Sequence, residues 1–338
     1  MLQRCFTIGF LVGSAAAMKF MDGDVVGVDN GSPVNDPLYT YQEKYFEAIN
    51  IPAAWKRLAS AKTKRSRVTV ALIDTGVERN HPDLVGNLVR GYNVIKHGTA
   101  TPDSHGHGTN MAGVLGATIN NSMGISGVMD LVNIMPISLE ARFEGNAEAA
   151  SFDYAIRNRE ARNIKIILMA ISGYTLWKEL AYKVFEADKA GMLIIVSAGN
   201  NGKNITAERK YPCALTTKVK TMLCVAGTEQ SEMKLGSFSN FADYVDIAAP
   251  GRKIVTTGIT KGARLHPYEI IGGTSPAAAI IAGVAAMLYS VSPGISATDV
   301  KKILKDTSAQ GLKDSSGNKS LPFGRVDVDK AVAKLVPR

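Results

Sequence analysis

Apolar residues in this chain fall into short unbroken runs, separated by longer stretches in which they recur every three or four positions. The runs of strand length are Val68 to Ile73, Val132 to Ile137, Lys165 to Ile171, Met192 to Ala198 and Thr221 to Ala226. Between them lie helix-like stretches at Thr109 to Gly116, Ala147 to Arg162 and Leu176 to Ala190. Strands that are apolar throughout, rather than alternating, are covered on both faces. The pattern therefore predicts a three-layer α/β/α fold around a mostly parallel central sheet. Later helices are expected over Ser275 to Val291, Thr298 to Thr307 and Asp327 to Leu335. Ser296 suits the N-cap of the second of these, with Asp299 as its capping-box acid. Upstream, Tyr41 to Leu58 reads as helical in parts, with Pro52 opening the piece that ends at Leu58.

Length and composition narrow the picture without changing it. A chain of 338 residues, 46% hydrophobic and 20% charged, can bury one large core, and no internal repeat divides it. One principal domain is expected over residues 36–336, acting as a monomer. Residues 1–18 carry Arg4, an uncharged stretch from Cys5 to Ala17 and a run of small residues, which is a secretory signal pattern; a mis-assigned start is the alternative. Residues 19–35 are rich in Gly, Asp and Asn and read as a leader or linker. The expected location is secreted or in the secretory pathway. Two later apolar stretches, Ile164 to Ile171 and Ile270 to Leu288, read as a buried strand and a buried helix. Stable membrane insertion is not expected. If the chain is exported, Cys5 leaves with the signal and Cys213 and Cys224 remain as one pair able to close a short loop; two buried thiols are the alternative.

The net charge of +9 raises the question of a nucleic-acid partner. The densest basic run, Lys56 to Arg67, has no aromatic residues between its charges, as a single-strand stacking surface would require. It reads as a solvated loop or a fraying helix end, and no nucleic-acid partner is expected.

Candidate chemistry lies in three segments. Asp74, followed by Thr75-Gly76, ends a strand at the sheet edge where open α/β folds place their ligands. An aspartic-protease reading would need a second such loop, and the chain has one. His107, with His105 as rival, precedes Gly108-Thr109 at the start of a helix, and Ser275 follows Gly272-Gly273-Thr274 at the start of another. A carboxylate can orient an imidazole, the imidazole can deprotonate a hydroxyl, and the hydroxyl can attack a carbonyl. Ser197-Ala-Gly-Asn200-Asn-Gly202 follows a strand and offers a side-chain amide, or only an Asn-Gly turn.

In their order Asp, His, Ser, these segments resemble the subtilisin-like serine proteases, over about Asp36 to Leu335. The resemblance implies a serine endopeptidase with a catalytic triad of Asp74, His107 and Ser275 and with Asn200 in the oxyanion hole. It also implies peptide or protein substrates. The chain departs from the family at several places, the first being Asn110, where the family usually has a second histidine that is not the base. Where the family usually reads Gly-Thr-Ser-Met-Ala-Ala-Pro, this chain has Gly273-Thr-Ser-Pro276-Ala-Ala-Ala279; proline suits a first helical turn, so the chemistry is expected to survive. The family's substrate-binding Ser-Leu-Gly is replaced by Ala170-Ile171-Ser172 before Gly173. Ser172 is expected to narrow the specificity pocket and Lys210 to lie near its base, giving a preference for acidic or polar residues at the cleaved position. Similarity to the family's calcium loop implies a structural Ca²⁺, with Asp36, Asp83 and the Asn121 amide as side-chain ligands and Ile119, Met123 and Ile125 giving carbonyls. The short leader, far below the family's usual pro-domain, keeps a second reading open: an inactive pseudoprotease that binds peptides or proteins.

Overall fold

Val68–Asp74 (β1) is buried at every position and lies near the middle of a seven-stranded sheet. The computed structural model describes residues 32–260 and 267–337; the expected signal segment and most of the expected leader lie outside them. The other strands are Tyr92–Asn93 (β2), Val132–Ser138 (β3), Ile164–Met169 (β4), Leu193–Ser197 (β5), Met222–Thr228 (β6) and Ile247–Pro250 (β7). Their order is β2-β3-β1-β4-β5-β6-β7, and every neighbouring pair runs parallel. β1 and β3 pair in register from Val68↔Val132 to Asp74↔Ser138.

Parallel neighbours require crossovers. Three of these contain α3 (His107–Gly116), α4 (Gly145–Asn158) and α5 (Lys178–Lys189). The sheet separates two cores because successive β1 side chains point to opposite faces. Val70 and Leu72 pack with Met111 and Leu115 of α3 and with Ile280 and Ile281 of α6 (Thr274–Val291). Ala71 and Ile73 pack with Phe152 of α4 and with Leu180 and Val184 of α5. Each large aliphatic side chain buried in this way contributes roughly 1.5–3 kcal/mol. All of α6 is buried, with Pro276 in its first turn. Although α6 is long and apolar enough to cross a membrane, it lies wholly inside the protein.

The two earlier helices are α1 (Glu43–Ala48) and α2 (Ile51–Ser60), with Pro52 in the first turn of α2. The last two are α7 (Ala297–Asp306) and α8 (Val328–Ala333). At the start of α7 the Asp299 N–H donates to the Ser296 hydroxyl, as the N-cap expectation requires. The apolar stretch from Ile270 does not all become helix. Tyr268–Ile271 (β9) instead pairs antiparallel with Ile254–Thr257 (β8), and Gly272-Gly273 separates strand from helix. The basic run falls on the end of α2 and the loop into β1, and its arginines are structural. Arg57 pairs with Asp329 at 2.7 Å, Arg65 pairs with Asp130, and Arg67 donates to Asn87 and the Val132 carbonyl. Cys213 and Cys224 are joined as a disulfide, with Cα atoms 5.0 Å apart.

Candidate active site

Three parallel strands deliver the site to one edge of the sheet. β1 ends on Asp74, β4 runs into Ala170, and β5 leads through Gly199 to Asn200. α3 begins with His107, and Ser275 lies in the first turn of α6. Asp74 is buried, and its two carboxylate oxygens lie 2.8 and 2.9 Å from His107 Nδ1. That contact fixes the ring and leaves Nε2 as the nitrogen free to act as a base. Burial opposes protonation of His107 most strongly. The attraction of Asp74, the hydrogen bond to it and the charge of Asp103 together outweigh burial and hold the pKa above its usual 6.5.

Asp103 is a functional residue that the sequence reading missed. One of its oxygens accepts from the Thr75 hydroxyl and from the His105 and Gly106 N–H groups; the other accepts from the Thr109 N–H and hydroxyl. Thr75 in turn accepts from the Gly108 N–H, tying the loop after β1 to the first turn of α3. The available signal was an Asp in a Pro-Asp-Ser turn just before a helix, a residue type that binds neighbouring backbone N–H groups. Asn110 steadies the other side of α3 by donating to the Thr257 carbonyl and to Glu269.

The Ser275 hydroxyl donates to the Ala170 carbonyl at 2.9 Å, where deprotonation by His107 would need it turned toward the imidazole. Asn200 is held through its oxygen, which accepts from the Thr274 N–H at 2.8 Å and from the Thr274 hydroxyl at 2.9 Å. With Oδ1 engaged in this way, Nδ2 is the outward donor. The Gly199 N–H closes the cluster by donating to the Thr274 hydroxyl. Gly273 has φ +136°, and a Cβ there would lie 2.9 Å from Asn200 Nδ2, so a glycine is required beside the amide. The Ser275 N–H, in the first turn of α6, has no intrahelical acceptor and adds a second donor.

The expected cleft residues divide. Ala170, Ile171 and Ser172 directly follow β4, and the Ala170 carbonyl accepts from the Ser275 hydroxyl. The Gly173 N–H donates to the Tyr211 carbonyl and its own carbonyl accepts from the Tyr211 N–H, both at 2.8 Å. This pairing ties the segment after β4 to the one that carries Lys210. A Cβ on Gly199 would lie 2.7 Å from Ser172 Oγ, so the serine side chain reaches toward the segment after β5. Lys210 is buried beneath, its Nζ 3.4 Å from the centre of the Tyr174 ring.

At the other end of the fold, the structure brings Asp36, Asp83 and Asn121 together. Asp36 accepts from the Asn120 and Asn121 N–H groups and from the Ser126 hydroxyl, and Asp83 accepts from the Ile125 N–H and the Asn121 amide. Burial raises both carboxyl pKa values, Asp83 to about 6 with the charge of Asp36 adding. Among the described residues neither carboxylate has a basic partner, and the carbonyls of Ile119, Met123 and Ile125 accept no hydrogen bond. The two buried carboxylates and the three carbonyls are the kind of oxygen donors a hard cation such as Ca²⁺ takes, whereas the Asn121 amide is engaged, its N–H on Asp83 and its oxygen accepting from the Met123 N–H.

The chain matches the Subtilase family of peptidases over residues 65–325. It is 30% identical over 298 residues to thermitase of Thermoactinomyces vulgaris, covering 88% of this chain and 98% of that one. To the major intracellular serine protease of Bacillus subtilis it is 29% identical over 250 residues, 72% of this chain and 74% of the other. Among solved structures it superposes on a protease from Pseudoalteromonas arctica with a TM-score of 0.77 at 23% identity, covering 90% of this chain and 100% of that one.

Proposed function

Since this chain belongs to the subtilase family and is a serine-type endopeptidase, we propose that it hydrolyses peptide bonds through Asp74, His107 and Ser275 by way of an acyl-enzyme. The observation that carries the assignment is the Asp74–His107 pair at 2.8 Å, on the sheet edge that also holds Ser275 and the Asn200 amide. In the reaction His107 takes the Ser275 proton as Oγ attacks the substrate carbonyl. Asn200 Nδ2 and the Ser275 N–H hold the oxyanion, and the imidazolium then gives its proton to the departing amine. Water, deprotonated by the same imidazole, releases the acyl group. The buried Asp74 holds the ring through Nδ1 and stabilises the imidazolium.

Peptide binding without cleavage has one observation on its side, the Ser275 hydroxyl engaged with Ala170. A rotation about χ1 between staggered positions turns the hydroxyl away from that carbonyl, so the engagement describes a resting state. A fluorophosphonate probe decides between the two readings. Covalent labelling of the folded chain that disappears in Ser275→Ala is expected; a folded chain that takes no label would establish the non-cleaving reading.

The proposed enzyme is secreted, and the Cys213–Cys224 disulfide supports an oxidising compartment. It acts as a monomer, since one chain supplies all the catalytic groups. Nucleic acid is not a partner, a reading supported by the engagement of Arg57, Arg65 and Arg67 within the fold. A structural Ca²⁺ is held by Asp36, Asp83, Asn121 and the carbonyls of Ile119, Met123 and Ile125. It neutralises two buried carboxylates and takes no part in the chemistry.

A further inference from the structure

Two strips of chain meet at Ser275, and against one of them lies a buried positive charge, Lys210, that has no ion-pair partner among the described residues. One wall is the 170–174 strip, which starts at the carbonyl holding Ser275 Oγ and continues to Gly173, paired with Tyr211. The other wall is the 198–200 strip, whose Asn200 faces the oxyanion position. In the antiparallel bridge Gly173↔Tyr211, Tyr174 stands opposite Lys210, and Ser172 and Tyr174 point to the same face because they are two residues apart. The Ser172 side chain is aimed at Gly199, so that face looks into the space between the walls. Lys210 belongs to this same face. Its side chain is buried and its Nζ lies 3.4 Å from the centre of the Tyr174 ring.

Among the described residues no carboxylate lies within ion-pair distance of this ammonium group, and none of its three N–H donors has a hydrogen-bond acceptor. Glu208 acts on it only at longer range, and Lys203 opposes that attraction. A buried ammonium compensated by one aromatic face is costly unless an anion completes it. Burial accordingly draws the Lys210 pKa below its usual value.

We propose that Lys210 is a specificity-determining residue that receives the carboxylate of an acidic substrate side chain, in particular glutamate immediately before the scissile bond. The inference rests on the proposed catalytic role of Ser275, because that role fixes where the substrate lies. With the acyl carbon at Ser275 Oγ and its oxygen toward Asn200, the side chain of the preceding residue enters the crevice between the two walls. Its methylenes lie along the Tyr174 ring, which is 46% exposed, and its carboxylate reaches Lys210 Nζ. Ser172 narrows the passage and disfavours large aromatic side chains. An uncharged isostere such as glutamine leaves the ammonium unpaired, and the loss of one charge-assisted contact of this kind amounts to about 10- to 100-fold.

The test compares internally quenched peptides that differ only in Glu or Gln before the cleaved bond. The wild-type enzyme is expected to give a kcat/KM ratio of about 10 or more in favour of Glu. Lys210→Met should bring that ratio to about 1, and Lys210→Arg should keep it above 1. Equal cleavage after Gln, faster cleavage after Leu or Phe than after Glu, or a Glu preference unchanged in Lys210→Met would overturn the inference and leave the endopeptidase assignment standing. The wild-type ratio decides the matter by itself if Lys210→Met does not fold. Should the wild-type chain cleave nothing, the catalytic role fails separately, and product peptides ending in Glu or Gln are titrated against the Ser275→Ala chain. Tighter binding of the Glu peptide, lost in a Lys210→Met background, would then uphold the role of Lys210, and equal binding would sink it.

Discussion

Asp103 binds Thr75, Thr109 and the N–H groups of His105 and Gly106, and its charge joins that of Asp74 in favouring the imidazolium form of His107. The proposed role of His107 as a base requires the neutral ring. Because its pKa is held above 6.5, activity should fall as pH drops through that raised value, and the acid limb of kcat/KM should lie above pH 6.5. Asp103→Asn removes one of the charges that raise it, so the limb should move to lower pH. A pH–rate profile of the two proteins checks this, and an unmoved limb would mean that the Asp103 charge is not felt at the ring. Asp74, His107, Ser275 and Asn200 were legible as residues because each stands in a short motif where strand or helix begins or ends. Asp103 and Thr274 were not, since their parts are played through hydrogen bonds to partners that only the folded chain assembles. The hydrogen bond from Ser275 to Ala170 was likewise unreadable: it depends on β4 ending beside the first turn of α6.

Among the elements, the strands with unbroken apolar runs were found from sequence to within about two residues, as were α3, α5 and α6. β1, β5 and α6 are buried at every position, which keeps their apolar runs nearly unbroken, and α5 is legible through its single apolar face of Leu180, Val184 and Ala187. β7 and the β8–β9 hairpin were missed. Ile247–Pro250 is short and Ala-rich, and β8 and β9 are separated in sequence, so neither carries a period of its own. The disulfide links two of these elements. Cys213 begins the 3₁₀ helix Cys213–Thr217 that follows the Lys210–Pro212 floor, and Cys224 lies within β6, with both side chains fully buried. Closing a loop across a sequence separation of 11 restricts the unfolded chain by about 3 kcal/mol. The double variant Cys213→Ala, Cys224→Ala should lose stability of that order in urea unfolding, measured against the unreduced wild type. A loss of only a few tenths of a kcal/mol would show that the floor is held by packing alone.

For the whole molecule, the proposed cation site joins parts of the chain that are far apart in sequence: Asp36 from the N-terminal segment, Asp83 from the loop after β1, and the loop after α3. A cation held there stabilises the folded state, because the unfolded chain has no such cage. At calcium a hundredfold above its Kd the gain is about 2.7 kcal/mol. Addition of a chelator should lower Tm, and Asp83→Asn should abolish most of the calcium dependence. An identical Tm with calcium and with chelator would remove the cation from this site. The same scale decides the meaning of the net charge of +9. Arg57 and Arg65 sit in ion pairs between distant segments, so the basic run works as internal bracing.

The sequence by itself determined the layered parallel architecture and singled out Asp74, His107, Ser275 and Asn200 as the candidate acid, base, nucleophile and amide. Both are written in local signals, namely buried apolar runs and polar residues placed at their ends. Tertiary structure alone decided which groups are paired and which are left unpaired. It gave Asp103 to the His107 loop, paired both backbone groups of Gly173 with Tyr211, and placed Lys210 under Tyr174 with no carboxylate in ion-pair distance among the described residues. Such choices follow from the close packing of segments remote in sequence, where the cost of burying a charge or a hydrogen-bonding group depends on neighbours that no local pattern records.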